Sequence, residues 1–166
     1  MAEQSSVLSA LQKLVGRDVI YTDEFEVEKG MLQRFAMAIG DPNPIYYDEE
    51  LAKAAGYSGV VAPPTFLFEW NHHKHGPLSR EVRASIFSGL KRVPPSVRGI
   101  NEYEVVQPVR PGDIIKTQAR VTQVYEKQGK SGKLVFVICE TTYINQRQEV
   151  LGKARDTYIF LPEKGE

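Results

Sequence analysis

The chain has one cysteine, one tryptophan and no net charge. A single thiol cannot close an internal disulfide, and Cys139 lies inside a strand-like run, which makes it a small buried hydrophobe. With 21 basic and 21 acidic side chains in balance, the charge points neither to nucleic acid nor to an anionic membrane. Long apolar stretches are absent too. Runs such as Leu134 to Cys139 are far too short to span a bilayer, so no membrane span is expected. The polar start from Met1 to Ser6 lacks a charged-then-apolar leader pattern, and a cytoplasmic location follows as the expectation. Repeats, low-complexity stretches and linker-like segments are also missing. Residues 1–166 therefore read as a single domain.

The apolar pattern changes character along the chain. Val7, Leu8, Leu11, Leu14 and Val15 have helical spacing, so a helix is predicted over Ser6–Val15, capped by Ser5 or Ser6 and ended by Gly16. An extended segment then runs to about Val27. A second helix is predicted over Met31–Ile39 with Gly40 as its stop, and a third over Asp48–Ala55 ending at Gly56. Pro63-Pro64 suits the start of a bulky apolar helix from Thr65 to about Lys74, because proline fixes a helical φ and lacks only an N–H that would be unpaired there. After a loop rich in Gly and Pro, the period becomes two. Ile115, Thr117, Ala119 and Val121 alternate with Lys116, Gln118, Arg120 and Thr122, and turns at Gln128–Gly132 and Asn145–Gln148 separate further strands over Leu134–Ile144 and Val150–Leu161. Helices followed by long antiparallel strands describe an α+β domain with the sheet wrapped around a central apolar helix.

Four segments carry more specific information. They are the loop Gly40-Asp41-Pro42-Asn43-Pro44-Ile45-Tyr46-Tyr47-Asp48, Gly56-Tyr57-Ser58-Gly59-Val60-Val61-Ala62-Pro63-Pro64-Thr65-Phe66, the strand entry Asn101-Glu102-Tyr103-Glu104, and the turn Pro108-Val109-Arg110-Pro111-Gly112-Asp113. In this order and spacing they resemble the MaoC-like dehydratase and (R)-specific enoyl-CoA hydratase family, which has the hot-dog fold. The similarity is greatest to the subgroup of the fungal-type fatty acid synthase N-terminal dehydratase domain, which includes the non-catalytic partner subunits of mycobacterial hydroxyacyl dehydratases. The resemblance implies water addition to, or removal from, an acyl thioester carried by coenzyme A or acyl carrier protein, without a cofactor. It also implies pairing as a homodimer, or as a heterodimer with a catalytic MaoC-like hot-dog protein.

In that family an aspartate followed five residues later by a histidine handles the water, and a backbone N–H in a His-Gly pair at the helix start binds the thioester oxygen. Here Asp41 is present, but the later position is Tyr46. A phenol titrates near pH 10 and is a poor base at neutrality. The His-Gly position falls on Ala62-Pro63 or Pro63-Pro64, and proline has no N–H to donate. The resemblance thus implies a vestigial site at Asp41, Asn43 and Tyr46, an acyl entrance shaped by Tyr57, Pro63, Pro64, Thr65 and Phe66, and chemistry performed by a partner.

Other readings stand beside this one. Asp41 and Asn43 are also good turn-formers that accept local backbone N–H groups. Tyr46 and Tyr47 also suit an interface, with Tyr47 directing its hydroxyl to water. His72, His73 and His75 form a cluster, but only two share a helical face and no cysteine joins them. A solvated helix end is the reading, with no metal. Lys91-Arg92 and Arg98 read as a solvated basic loop, with pairing to coenzyme A phosphates as the alternative. The functional rivals are a self-sufficient homodimeric hydratase with a modified site, a hot-dog thioesterase, and a non-enzymatic acyl-CoA binding module.

Overall fold

The computed structural model describes residues 2–69, 94–130 and 132–162. In chain order they form α1 (Ala2–Gln12), β1 (Asp18–Glu26), α2 (Lys29–Ala38), a 3-10 turn (Pro44–Tyr46), α3 (Glu49–Ala54), β2 (Ser96–Val105), β3 (Ile114–Gly129), β4 (Gly132–Ile144) and β5 (Val150–Phe160). A further helix opens at residues 66–69, directly after Pro63 and Pro64. The rest of the segment predicted to form this helix, including Trp70, lies outside the described residues, as do His72, His73, His75, Lys91 and Arg92.

All five strands are antiparallel in one sheet, in the order β1-β3-β4-β5-β2. β3, β4 and β5 form a meander, and the two earlier strands flank it. The strand faces predicted for β3 are the observed ones: Ile115, Thr117, Ala119 and Val121 are buried, while Gln118 and Arg120 are exposed. A bulge between Val121 and Gln123 then resets the alternation, and further register shifts interrupt β1, β2 and β4. Bulges add bend and twist, which lets a sheet curve around a helix.

Two apolar clusters fill the concave side. Phe66, Leu67 and Phe68 of the central helix start pack with Val27, Leu32, Ile115, Tyr143, Leu151 and Ala154. The ring of Phe68 stacks on Tyr103 at 4.3 Å and meets Tyr143 edge-on at 5.5 Å. The helix sits very close to the sheet at Gly152, where a Cβ would lie 2.8 Å from Leu67 Cδ2 and 2.9 Å from the Glu104 carbonyl oxygen. Val7 and Leu11 of α1 cover the other part of the sheet, over Val121, Val137, Cys139 and Phe160. This helix begins earlier than the predicted Ser6. Ser5 and Ser6 lie within its span.

The opposite face of the sheet is charged. Asp18 of β1, Arg120 of β3, Glu140 of β4, Arg155 of β5 and Glu102 of β2 occupy one row across all five strands. Their signs alternate. Asp18 accepts from Arg120 Nε at 2.7 Å, while Arg155 lies 3.7 Å from Glu140 and 3.1 Å from Glu102. Each exposed pair is worth at most about 1 kcal/mol, but cross-strand opposite charges favour one register over its neighbours.

Two expectations are corrected at β2. The strand starts at Ser96, ahead of the Asn101 predicted as its entry, so Arg98 belongs to a strand and not to a basic loop. Its guanidinium donates to the Tyr103 hydroxyl at 2.7 Å and lies 3.8 Å from Glu69. The turn into β3 is held by buried Asp113. Its carboxylate accepts from the Arg110 N–H at 2.9 Å and from Arg147 at 3.0 Å.

Candidate functional site

Two helix ends bring the site together. α2 stops in a left-handed glycine, Gly40 at φ 70°, and the following N–H groups turn back into the helix: Gly40 to the Met37 carbonyl at 3.1 Å and Asp41 to that of Ala36 at 2.9 Å. This paired reversal satisfies two carbonyls that the helix end leaves free, and its αL position favours glycine. α3 ends in the same way. Gly56 has φ 93°, its N–H reaches Lys53, and the Tyr57 N–H reaches Ala52 at 3.0 Å. Asp41 and Tyr57 are therefore placed by the same device, one at each helix exit.

Local hydrogen bonds fix the loop between these helices. The Asn43 N–H donates to Asp41 Oδ1 at 3.1 Å, and Asn43 Oδ1 in turn accepts from the Ile45 N–H at 3.3 Å, capping the 3-10 turn. Asp48 caps α3 by accepting from Glu50 and Leu51 at 2.8 and 3.0 Å. Tyr47 does not direct its hydroxyl to water. It donates to the Asp41 carbonyl at 3.0 Å and braces the turn from outside.

Tyr46 points inward, 5% exposed, and packs with Ala36 and Val61. Its phenol is held above its ordinary pKa first by burial, then by the charge of Asp41 and a hydrogen bond to that carboxylate, with Tyr57 and Tyr47 adding smaller contributions. All of these favour the protonated hydroxyl. Tyr46 is thus a neutral hydroxyl beside Asp41 at physiological pH.

Beside this pair lies a cavity of about 190 Å³. Tyr46, Tyr57, Val61, Pro63 and Pro64 form one side of it, and residues 105–109 at the exit of β2 form the other. Tyr46 lines it and Asp41 does not. Among its described lining residues there is no carboxylate, imidazole, thiol or ammonium group, and its polar side chains are Tyr46, Tyr57 and Gln107. Two predicted entrance residues lie elsewhere. Phe66 turns into the core against Phe35 at 5.5 Å and Phe25 at 6.5 Å, and Thr65 is exposed on the helix start.

The backbone beside Tyr46 in the cavity lining also leaves few donors. Pro63 and Pro64 have no N–H, and the Ala62 N–H is already donated to the Val109 carbonyl at 2.9 Å. One contact was not legible in the sequence. Glu49 Oε2 accepts from the Val60 N–H at 3.1 Å while Oε1 takes Lys29 Nζ at 2.6 Å, tying the strap that carries Tyr57 down onto α3. Its carboxyl is held below the usual range by Lys29 and by the Val60 amide. No residue spacing announces a bond between an α3 side chain and a backbone group eleven residues on.

A sheet folded around a helix, with an apolar cavity at the end of that helix and an Asp-Pro-Asn-Pro loop on its rim, defines a hot-dog protein of the dehydratase type. The chain belongs to the family described as "FAS1-like, dehydratase domain region", whose model matches residues 13–153. It is similar to a UPF0336 protein of Streptomyces avermitilis, 36% identical over 118 residues that cover 71% of this chain and 75% of that protein. It is also similar to a probable enoyl-CoA hydratase alpha subunit of Thermomonospora curvata, at 31% identity over 82% of this chain but only 46% of that longer protein. Among solved structures, a chain of the C-terminally truncated HadBC (3R-hydroxyacyl-ACP dehydratase) complex from Mycobacterium tuberculosis matches with a TM-score of 0.69. At 23% identity, covering 88% of this chain and 96% of that one, the likeness is one of fold.

Proposed function

We propose that this single-domain chain is a subunit of an acyl-thioester hydratase or dehydratase, interconverting 3-hydroxyacyl and trans-2-enoyl thioesters. It contributes a wall of the acyl site, while a MaoC-like hot-dog partner brings the aspartate and histidine. The observation that carries this reading is the cavity itself. Hydration needs a base for water and donors for an oxygen becoming enolate-like. The cavity offers instead a neutral Tyr46 hydroxyl, two prolines and an amide already engaged. Tyr46, Tyr57, Pro63 and Pro64 shape the acyl path in this reading, Asp41 and Asn43 hold the loop, and the protein works in the cytoplasm.

Association occurs at β2. Among the described residues this strand has a neighbour on one side only, and Val97, Ile100 and Val105 are 46%, 65% and 47% exposed along it. Exposed edge strands with apolar residues are templates for pairing. The decisive assay is hydration of crotonyl-CoA by the purified chain, alone and with a hot-dog protein carrying the intact pair. Background turnover alone and enzymatic turnover with the partner are expected. Hydration at an ordinary enzymatic rate by the chain alone, abolished by Asp41→Ala, excludes the subunit reading.

A further inference from the structure

The strap that forms one side of the cavity runs back along α3 and is pinned to it at both ends. At the helix exit the Tyr57 N–H donates to the Ala52 carbonyl at 3.0 Å, and at the helix start the Val60 N–H donates to Glu49 Oε2 at 3.1 Å. The next two amides continue the anchoring: Val61 donates to the Ile45 carbonyl at 3.3 Å and Ala62 to that of Val109 at 2.9 Å. Three successive amides are therefore engaged, the first by a side chain and the other two by backbone. Backbone acceptors come with the fold, whereas the first depends on the residue type at position 49. Beyond the tether, Val61 packs with Tyr46 and Ala36, Tyr57 lies against the same cluster, and Tyr57, Val61 and Ala62 line the cavity.

Two neighbours prepare Glu49 for this contact. Lys29 Nζ reaches Oε1 at 2.6 Å, so one carboxylate joins the first residue of α2, the first residue of α3 and the strap. Gly59 clears its path: a Cβ there would lie 2.6 Å from Oε2, and among the described residues this carboxylate is its only close neighbour. Exposed ion pairs contribute little, whereas a charged acceptor strengthens a bond to a backbone amide. Val60 therefore carries the effect, and Lys29 orients the carboxylate. We propose that Glu49 is a positioning residue of the cavity: it holds the strap where Val61 closes on Tyr46, and so sets the space offered to a ligand's apolar chain. Only this last clause rests on the reading of the cavity as an acyl path.

Hydrogen exchange on the Val60, Val61 and Ala62 amides of the full chain, read by NMR at neutral pH, tests the tether. Glu49→Ala should speed all three severalfold. Glu49→Gln, which keeps an oxygen for Val60, should speed them less, and Lys29→Met least. Gly59→Ala leaves Glu49 in the sequence but pushes its carboxylate aside, and Gly59 is outside the left-handed region, so no backbone strain is added. It should match Glu49→Ala, and the double variant should be no worse than either alone. Binding of crotonyl-CoA, followed by calorimetry, should weaken severalfold in the same order. Faster exchange confined to Val60 overturns the proposal, because the wall then does not follow the tether. Additive effects of Gly59→Ala and Glu49→Ala overturn it as well, because the two residues then act separately, and so does an unchanged affinity in Glu49→Ala beside binding by the wild type. A wild type that does not bind crotonyl-CoA sinks the acyl reading of the cavity instead, and the exchange rates still decide whether Glu49 places the strap.

Discussion

Tyr46, five residues after Asp41, is buried and lines the cavity, and the Asp41 carboxylate adds to burial in raising its phenol. The carboxylate favours the protonated phenol, which sets the sign of the pH dependence. A tyrosine whose pKa is raised on folding contributes fully below its unfolded value, about 10. That contribution is lost as pH rises through the folded value.

The spectrophotometric titration of the wild type should therefore show Tyr46 in a late-ionising phase, and Tyr46→Phe should make that phase smaller. Tyr46→Phe should also cost about 1 kcal/mol in urea unfolding, the size of one ordinary hydrogen bond. A late phase of unchanged size after the substitution assigns it to other residues. Tyr103, whose phenol burial also pushes up, is the competitor.

Gly40→Ala tests how Asp41 is placed. At φ 70° an alanine should cost about 1 kcal/mol by strain alone. Open space surrounds the missing Cβ, so any loss belongs to the backbone and not to a clash. Urea unfolding reads the cost, and Gly56→Ala, equally open at φ 93°, should match it.

Gly152→Ala should behave differently because its obstacle is steric. The added Cβ meets the Glu104 carbonyl at 2.9 Å and Leu67 at 2.8 Å, and a strand backbone cannot move aside cheaply. Overpacking of this kind costs about 1–3 kcal/mol, and denaturant unfolding should show it. Loss of the docked helix should also narrow the gap between the unfolding temperatures of wild type and Leu67→Ala when the two changes are combined.

Cys139 should resist thiol reagents in the native protein. Buried and beside Asp156, its thiol is pushed up to about 12. A disulfide-exchange reagent at pH 8 should label it only after denaturant is added, since the thiolate is the reactive form. Rapid labelling in native buffer would mean that this part of the sheet opens.

The local chemistry of the site was legible because it is written in adjacent residues. Gly40, Asp41, Asn43 and Asp48 are turn and cap residues whose partners lie within a few positions, and each does locally what its type favours. The alternation of β3 was equally plain. What sequence could not supply were bonds between distant segments. Glu49 to Val60 is one such bond, and the burial of Phe66 among Phe25 and Phe35 is another. The β2 boundary was missed for a related reason: its bulge breaks the period that would have marked Ser96–Val105 as one strand. The α1 cap was misplaced because the helix starts four residues before the first residue of its predicted span.

The strand order also determines when the chain can fold. β1 must find β3, with Asp18 opposite Arg120, and β2 must find β5, with Ser96 opposite Phe160. Only the β3-β4-β5 meander closes through short turns. During synthesis everything through β2 waits, its apolar faces uncovered, for strands made last, and such non-local pairing is slow. Deleting β5 would strand β2 entirely, and the wall of the cavity at residues 105–109 would go with it.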